Sequence, residues 1–80
     1  MDKFVTYVLY SDKHKRLYIG HSDNLDRRIL QHNGGKVIST KPFVPYRLIY
    51  SEQFDNRSDA IIREKELKKT KGRRFLKGFI

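Results

Sequence analysis

The chain has 80 residues without cysteine, and its 18 Lys and Arg against 9 Asp and Glu give a formal net charge of +9, which favours an anionic partner. This length suits one compact domain, so we expect a single domain over residues 1–80, and the lack of cysteine excludes disulfides, thiolate zinc sites and cysteine nucleophiles. No apolar run reaches the roughly 18 residues of a membrane span and no signal peptide is evident, so we expect a soluble, cytoplasmic protein.

The first two predicted elements are strands. Residues 4–10 are β-branched or aromatic with few polar atoms, residues 16–19 are similar, and a polar segment lies between them. This pattern predicts a β-hairpin. A two-residue loop at residues 12–13 would place Tyr7 directly opposite Tyr18 on one face of the sheet, although a longer loop is equally compatible with the sequence.

Capping residues enclose the third element, which is a helix. Residues 22–24 offer Ser, Asp and Asn as N-caps, and the Asn-Gly-Gly of residues 33–35 suits a left-handed C-terminal cap. We therefore expect a helix over about residues 24–33.

The predicted apolar side of this helix carries Leu25, Ile29 and Leu30. His32 lies beside Leu25 on this side, and Arg28 lies just outside it. Arg27 lies on the opposite side of the helix. Arg28 and His32 are neighbours on the helix surface and could grip one phosphate. A helix-flank arginine and a core-edge histidine are the ordinary alternative.

The second half of the chain continues with a loop, a strand and helices. Residues 36–45 contain both prolines and predict a loop, and residues 46–50 predict a third strand. A second helix is expected over residues 60–69, ended by Gly72, and residues 73–80 can add a short terminal helix. The order β-β-α-β-α predicts an α+β fold with an antiparallel sheet covered by helices.

Glu64 interrupts the apolar side of the second helix. It lies three or four positions from each of the apolar residues Ala60, Ile61 and Leu67. A buried carboxylate needs a cation, a metal or a hydrogen-bonded partner. An ion pair with Arg28 or a lysine is one solution, and a Mg²⁺ site built from this carboxylate and water is the other.

Two further features of the sequence are its five tyrosines and its many basic residues. Of the five tyrosines, all in predicted strands, we assign Tyr10, Tyr46 and Tyr50 to packing. The C-terminal part holds a basic run that could follow a nucleic-acid backbone, although such runs are usually solvated faces. It comprises Lys65, Lys68, Lys69, Lys71, Arg73, Arg74 and Lys77.

Taken in order, the motifs of this chain resemble those of the GIY-YIG nuclease superfamily. They are Val5-Thr6-Tyr7, Tyr18-Ile19-Gly20, Asn24-Leu25-Asp26-Arg27-Arg28, His32-Asn33 and Arg63-Glu64-Lys65. The resemblance runs from Phe4 to about Lys69 and is greatest to small single-domain bacterial members of the UPF0213 type. The N-terminal nuclease domain of the bacterial excision-repair endonuclease is similar as well. The resemblance to this superfamily implies a three-stranded antiparallel sheet flanked by helices.

The resemblance also implies an activity, which is metal-dependent cleavage of DNA. Tyr7 and Tyr18 would be the paired catalytic tyrosines, one of them orienting or deprotonating the attacking water. Arg28 would stabilise charge on the phosphate and Glu64 would bind a divalent metal, Mg²⁺ or Mn²⁺. His32 would be a secondary phosphate or proton-transfer residue. We also expect nucleic-acid contacts from Gly20, His21, Arg27, Lys65, Lys68 and Lys69.

Three positions depart from the family pattern. Val5 and Thr6 replace the glycine and isoleucine of the first motif, and His21 stands where a small hydroxyl residue is more usual. We expect structure-directed or nonspecific cleavage of DNA, single-stranded or branched forms included, with DNA repair among the possible roles. The alternatives are a catalytically weak or inactive nucleic-acid-binding module of the same fold and an RNA-directed or ribosome-associated basic protein.

Overall fold

The structure is a computed structural model that describes residues 3–80; residues 1–2, which the single-domain prediction includes, lie outside the described part. The strands are β1 (Phe4–Ser11), β2 (Arg16–Ser22) and β3 (Arg47–Phe54), and the helices are α1 (Leu25–Asn33), α2 (Arg57–Lys68) and α3 (Thr70–Leu76). Short 3-10 turns lie before β3, at Lys41–Phe43, and after α3, at Lys77–Phe79. The three-stranded antiparallel sheet has the order β2-β1-β3, which confirms the predicted α+β class.

The β1–β2 hairpin has a longer turn than the two-residue loop considered above. Ser11 pairs with Arg16, so residues 12–15 form the turn, and Lys15 takes up a left-handed conformation with φ of 53°. Tyr7 consequently faces Gly20 rather than Tyr18, and the directly opposed tyrosine pair was wrong. Because the register differs by two residues, both tyrosines still lie on one face of the sheet.

Helices cover both faces of the sheet. On one face, Val5, Tyr7 and Leu9 of β1 pack with Tyr46 against Leu25 and Ile29 of α1. On the other face, a second core joins β1 and β2 to α2 and α3; its buried members are Val8, Ile19, Leu67 and Leu76. β1 is therefore buried along nearly its whole length, which explains its continuous apolar composition.

Two details of the helices differ from the predictions. Leu30 is 74% exposed, because α1 reaches the sheet through Leu25, Ile29 and the buried His32, so its assignment to the apolar side was wrong. Gly72 does not end α2: α2 ends at Lys68, and Gly72 lies inside α3 against the backbone of Leu67. Within residues 3–80, no helix combines the length and the apolar character needed to cross a membrane.

Candidate active site

Tyr7 occupies the centre of the candidate site, on the middle strand of the sheet. Its side chain is 1% exposed, and its hydroxyl lies 2.9 Å from Nε2 of His32. The ring passes over Gly20, where a Cβ would lie only 2.8 Å from the Tyr7 hydroxyl. The glycine of the second motif therefore makes room for the tyrosine of the first.

His32 is a buried link between Tyr7 and the loop after α1. Its Nδ1 lies 2.8 Å from Oγ1 of Thr40, and that hydroxyl donates to the Val37 carbonyl at 3.3 Å. Since the Thr40 hydroxyl is a donor to Val37, His32 must donate to it from Nδ1 and accept from Tyr7 at Nε2. The Tyr7 proton thus points towards His32, and the remaining lone pair of its oxygen faces away from the ring.

Burial determines the protonation of this pair. It lowers the pKa of His32 to about 4, with the nearby charge of Arg28 as a smaller cause, so the imidazole is neutral at pH 7. Burial also raises the pKa of Tyr7 to about 12, although a hydrogen bond with Arg28 acts in the opposite direction. Tyr7 is therefore a neutral hydrogen-bonding group in the free protein rather than a tyrosinate.

Tyr18 and Arg28 complete this side of the site. The Tyr18 ring centroid lies 6.2 Å from that of Tyr7 and 4.7 Å from that of His32. Contacts with the Tyr7 and Tyr18 hydroxyls raise the pKa of Arg28, and its Nη1 donates to Gln31 at 3.0 Å. The guanidinium is thus held by Gln31 and lies near the two tyrosines, where its charge could attract an anion.

Glu64 approaches from α2, on the other face of the sheet, and contacts His21 of β2. Its Oε1 lies 2.6 Å from Nδ1 of His21, and its Oε2 accepts from Lys68 at 2.7 Å. Burial alone would raise the pKa of Glu64, but the hydrogen bonds from Lys68 and His21 hold it below its usual value. The Glu64 charge is the smallest of the causes that raise the pKa of Tyr7.

The structure brings some of the expected nucleic-acid-binding residues to this site and leaves others elsewhere. Gly20, His21 and Lys68 lie next to Tyr7 or Glu64. Arg27 points away on α1, where it pairs with Asp23 at 3.0 Å, and Lys65 and Lys69 are exposed on and after α2. The lysine partner of Glu64 was among the expected alternatives, whereas its contact with His21 was not.

Thr40 and Asn33 support the candidate site through contacts that the sequence did not reveal. Thr40 is fully buried and orients His32 from a loop with no repeating pattern. The Asn33 side chain accepts from the Tyr46 backbone N–H at 2.7 Å and donates to its carbonyl at 3.0 Å, which ties the end of α1 to the start of β3. Asn33 belongs to the recognised motif series, but its partner is distant in sequence.

A basic groove runs along the outer edge of β2, and we call it the β2 groove. Its first part, of about 250 Å³, is lined by Leu17, Tyr18, Ile19, Lys68 and Arg73. It shares Leu17 and Arg73 with a second part of about 450 Å³ near the hairpin turn. The charged residues lining both parts are all basic: Lys15, Arg16, Lys68, Arg73 and Lys77. The groove therefore suits a chain of phosphates that begins at Tyr18.

The metal-ligating groups near the site are few. Across residues 3–80, no three His, Cys, Asp or Glu side chains converge on a common point. The donors at hand are the Glu64 carboxylate and the adjoining imidazole of His21. A single carboxylate fits a cation that keeps most of its water and is completed by a phosphate.

Comparison with known proteins identifies the family of this chain. The family model of the GIY-YIG catalytic domain matches residues 3–77. The chain belongs to the GIY-YIG family. Membership places it among nucleases, which act on nucleic acids and generally depend on a divalent metal.

Relatives of this GIY-YIG domain include small bacterial and archaeal proteins. The UPF0213 protein of Staphylococcus saprophyticus is 39% identical over 69 residues, which cover 85% of this chain and 83% of that protein. A UPF0213 protein of Natronomonas pharaonis is 38% identical over 63 residues, covering 78% of this chain and 73% of its own. The solution NMR structure of a UPF0213 protein from Bacillus halodurans is 27% identical and matches 98% of this chain and 84% of its own with a TM-score of 0.52. The resemblance inferred from the motifs is confirmed.

Proposed function

We propose that this GIY-YIG domain is an endonuclease that hydrolyses phosphodiester bonds of DNA with a divalent metal, Mg²⁺ or Mn²⁺. The observation that carries the proposal is the placement of the candidate residues on the two faces of the sheet at β2, with Tyr7 beside Tyr18 on one face and Glu64 bonded to His21 on the other. Tyr7, Tyr18 and Arg28 reach this edge from one face of the sheet, and Glu64 reaches it from the other. A phosphate at this edge would contact a cation, a neutral hydroxyl and a carboxylate suited to metal binding.

Arg28 is the group that binds the scissile phosphate in this proposal. A guanidinium forms paired charge-assisted hydrogen bonds with phosphate oxygens, and its charge is already held in place by Gln31 and the two tyrosine hydroxyls. A preorganised cation stabilises the negative charge that develops in the transition state by several kcal/mol. Glu64 would hold the divalent metal, which would supply Lewis-acid stabilisation of the negative charge on the phosphate.

Tyr7 and His32 handle the proton of the attacking water. The Tyr7 oxygen accepts a hydrogen bond from water while its own proton is directed at Nε2 of His32. As the water oxygen attacks phosphorus and the bond to the leaving oxygen breaks, the water proton passes to Tyr7 and the Tyr7 proton moves transiently to Nε2 of His32. The lowered pKa of His32, about 4, then returns this proton through Tyr7 to solvent. A free tyrosinate, which the pKa of about 12 disfavours, is not required. The leaving oxygen takes its proton from solvent.

The β2 groove accommodates the DNA strand next to the scissile phosphate. Its lysines and arginines are suited to contact the phosphate backbone, which carries no sequence information of its own. Such contacts favour structure-directed or nonspecific cleavage, including cleavage of single-stranded or branched DNA. Further basic residues in and after α3 add electrostatic contacts, so DNA binding weakens as the salt concentration increases.

One observation favours a second candidate, a nucleic-acid-binding module of this fold with little or no turnover. Both carboxylate oxygens of Glu64 are hydrogen-bonded to protein cations or imidazole, so a metal has to compete with His21 and Lys68 for this carboxylate. In such a module, the basic groove would bind DNA but the candidate active site would not cleave it. The two candidates differ in metal-dependent cleavage and not in binding.

The deciding experiment measures cleavage of labelled single-stranded, duplex and branched DNA with Mg²⁺, with Mn²⁺ and with EDTA. Wild type is compared with Glu64→Gln and with the matched control Glu66→Gln, which changes a neighbouring carboxylate that pairs with Arg63. We expect metal-dependent cutting by wild type and Glu66→Gln that Glu64→Gln loses. DNA binding without cutting by wild type would favour the silent module, and full activity of Glu64→Gln would remove Glu64 from the proposed site.

A further inference from the structure

His21 is the residue that follows the Tyr18-Ile19-Gly20 motif, and its imidazole meets the proposed metal ligand. Its Nδ1 lies 2.6 Å from Oε1 of Glu64, and the two side chains are 26% and 17% exposed. His21 pairs with Thr6 in the sheet and therefore lies on the face covered by α2. The contact is thus formed by regular secondary structure on both sides, a strand and a helix, and not by a loop.

We propose that His21 and Glu64 together form a two-ligand metal site that prefers Mn²⁺ to Mg²⁺. The inference rests on the proposed function in that Glu64 is taken as a metal ligand, and it assigns His21 as the second one. Mg²⁺ prefers oxygen donors and rigid octahedral geometry, whereas imidazole nitrogen is a better ligand for first-row transition metals. One carboxylate oxygen and one imidazole nitrogen side by side are therefore a donor pair that discriminates between the two ions.

The separation of the two donor atoms is close to the one that an ion requires, although both side chains have to turn towards it. Adjacent ligands of an octahedral ion with bonds of about 2.1 Å are roughly 3 Å apart, and the Nδ1 and Oε1 atoms are now 2.6 Å apart. In the free protein the Nδ1 N–H of His21 donates to Oε1, so a bound ion would displace this proton to solvent and take the Nδ1 lone pair in its place. Lys68 contacts the other oxygen, Oε2, so the ion would compete at Oε1 with the hydrogen bond from His21 and not with Lys68.

A purely positioning role for His21 makes a different prediction. In that role the imidazole only donates a hydrogen bond to Glu64, and an amide donor at the same place would serve equally well. The variant His21→Asn separates the two roles, because the asparagine amide can donate to Glu64 but is a poor metal ligand. Exposed His14, on the hairpin turn, provides a matched histidine control.

The test measures binding of Mn²⁺ directly, without DNA and without an activity assay. Free Mn²⁺ is followed by electron paramagnetic resonance during titration of wild type, His21→Asn, Glu64→Gln and His14→Asn, and Mg²⁺ is then added as a competitor. Electron spin echo modulation of the bound Mn²⁺ reports whether a ¹⁴N nucleus is directly coordinated. We expect wild type and His14→Asn to show the nitrogen signal and resist displacement by Mg²⁺. His21→Asn should lose the signal and bind Mn²⁺ at least about ten-fold more weakly.

Two results would overturn the inference, and they differ in what they leave standing. If Mn²⁺ binds wild type without nitrogen coupling and His21→Asn binds it equally well, His21 is not a ligand, while the role of Glu64 in the proposed function survives. If neither His21→Asn nor Glu64→Gln alters Mn²⁺ binding, both the inference and the proposed metal ligand fail.

Discussion

At the scale of single residues, Gly20 determines how closely Tyr7 approaches the edge of the sheet. A Cβ at this position would lie 2.8 Å from the Tyr7 hydroxyl and 3.0 Å from the Tyr18 ring. Tyr7 can yield only by breaking its hydrogen bond with the buried His32. The Tyr7 hydroxyl can therefore reach His32 only because residue 20 has no side chain.

We predict that Gly20→Ala displaces the Tyr7 hydroxyl from His32 and lowers the cleavage rate by at least about ten-fold. Overpacking of this kind also destabilises the fold by about 1–3 kcal/mol. Single-turnover cleavage and thermal unfolding measure the two effects. Gly78→Ala is the control, since a Cβ at residue 78 meets nothing within 4 Å. Unchanged cleavage by Gly20→Ala would show that the position of the Tyr7 hydroxyl is not critical.

The buried neutral imidazole of His32 makes stability depend on pH. Its pKa is lowered from 6.5 to about 4 by burial, so the unfolded chain binds more protons than the folded one between these values. Stability is therefore fully present above pH 6.5 and falls as the pH decreases towards 4, by up to about 3 kcal/mol from this residue.

Denaturant unfolding of wild type between pH 4 and 7 should show this decrease, and His32→Asn should flatten it. An NMR titration of the His32 ring in wild type gives an independent measurement that does not depend on the variant folding. Titration of this ring near pH 6.5 would contradict the burial of a neutral imidazole at this position.

At the scale of secondary structure elements, Gly72 determines how α3 packs on the end of α2. A Cβ here would lie 2.4 Å from Leu67 Cα and 2.5 Å from the Glu66 carbonyl oxygen, both of which are backbone atoms. Neither can move without shifting the helix. The glycine therefore permits a close helix–helix contact that also buries Leu76 beside Leu67.

We predict that Gly72→Ala destabilises the protein by about 1–3 kcal/mol through separation of α3 from α2. Chemical denaturation against wild type and Gly78→Ala measures the effect. A stabilising effect, as expected for alanine replacing glycine in an unhindered helix, would contradict the close contact.

The elements also show what the sequence could and could not predict. β1, β2 and α1 were anticipated from strand composition and capping residues, and Asn24 does cap α1 by accepting from the Arg27 N–H at 3.0 Å. The hairpin register was not predictable, because turns of two and four residues differ by an even shift that keeps the same side chains on the same face.

Long-range contacts account for the other differences. Gly72 has the local features of a helix end, but its place is determined by the backbone of Leu67. The motif series identified Tyr7, Arg28 and Glu64, whereas the Thr40 support of His32 and the His21 contact with Glu64 depend on the folded arrangement of loop, strand and helix. Pattern thus predicts which residues form the site, and tertiary packing determines what each one touches.

At the scale of the whole molecule, the net charge of +9 and the β2 groove predict salt-sensitive DNA binding. Each phosphate neutralised contributes about −0.9 to the slope of log affinity against log salt concentration. Replacing Arg73 or Lys77 by alanine should therefore reduce the slope by about one unit each. Fluorescence anisotropy with labelled DNA at several salt concentrations measures this. Lys36→Ala, outside the groove, is the control; equal effects of all three variants would show that net charge, and not the groove, binds DNA.

The most direct test of the proposed active site is single-turnover cleavage of labelled DNA by wild type, Tyr7→Phe and Tyr10→Phe, with DNA binding measured in parallel. Tyr10 is a buried tyrosine of the same strand on the opposite face, so it controls for the loss of a hydroxyl. Because it also lines the second part of the β2 groove, the parallel binding measurement separates a change in DNA binding from a change in cleavage. We expect Tyr7→Phe to cut at least about a hundred-fold more slowly than wild type with unchanged binding, and Tyr10→Phe to remain active. Cleavage by Tyr7→Phe at the wild-type rate would contradict hydrolysis at this site.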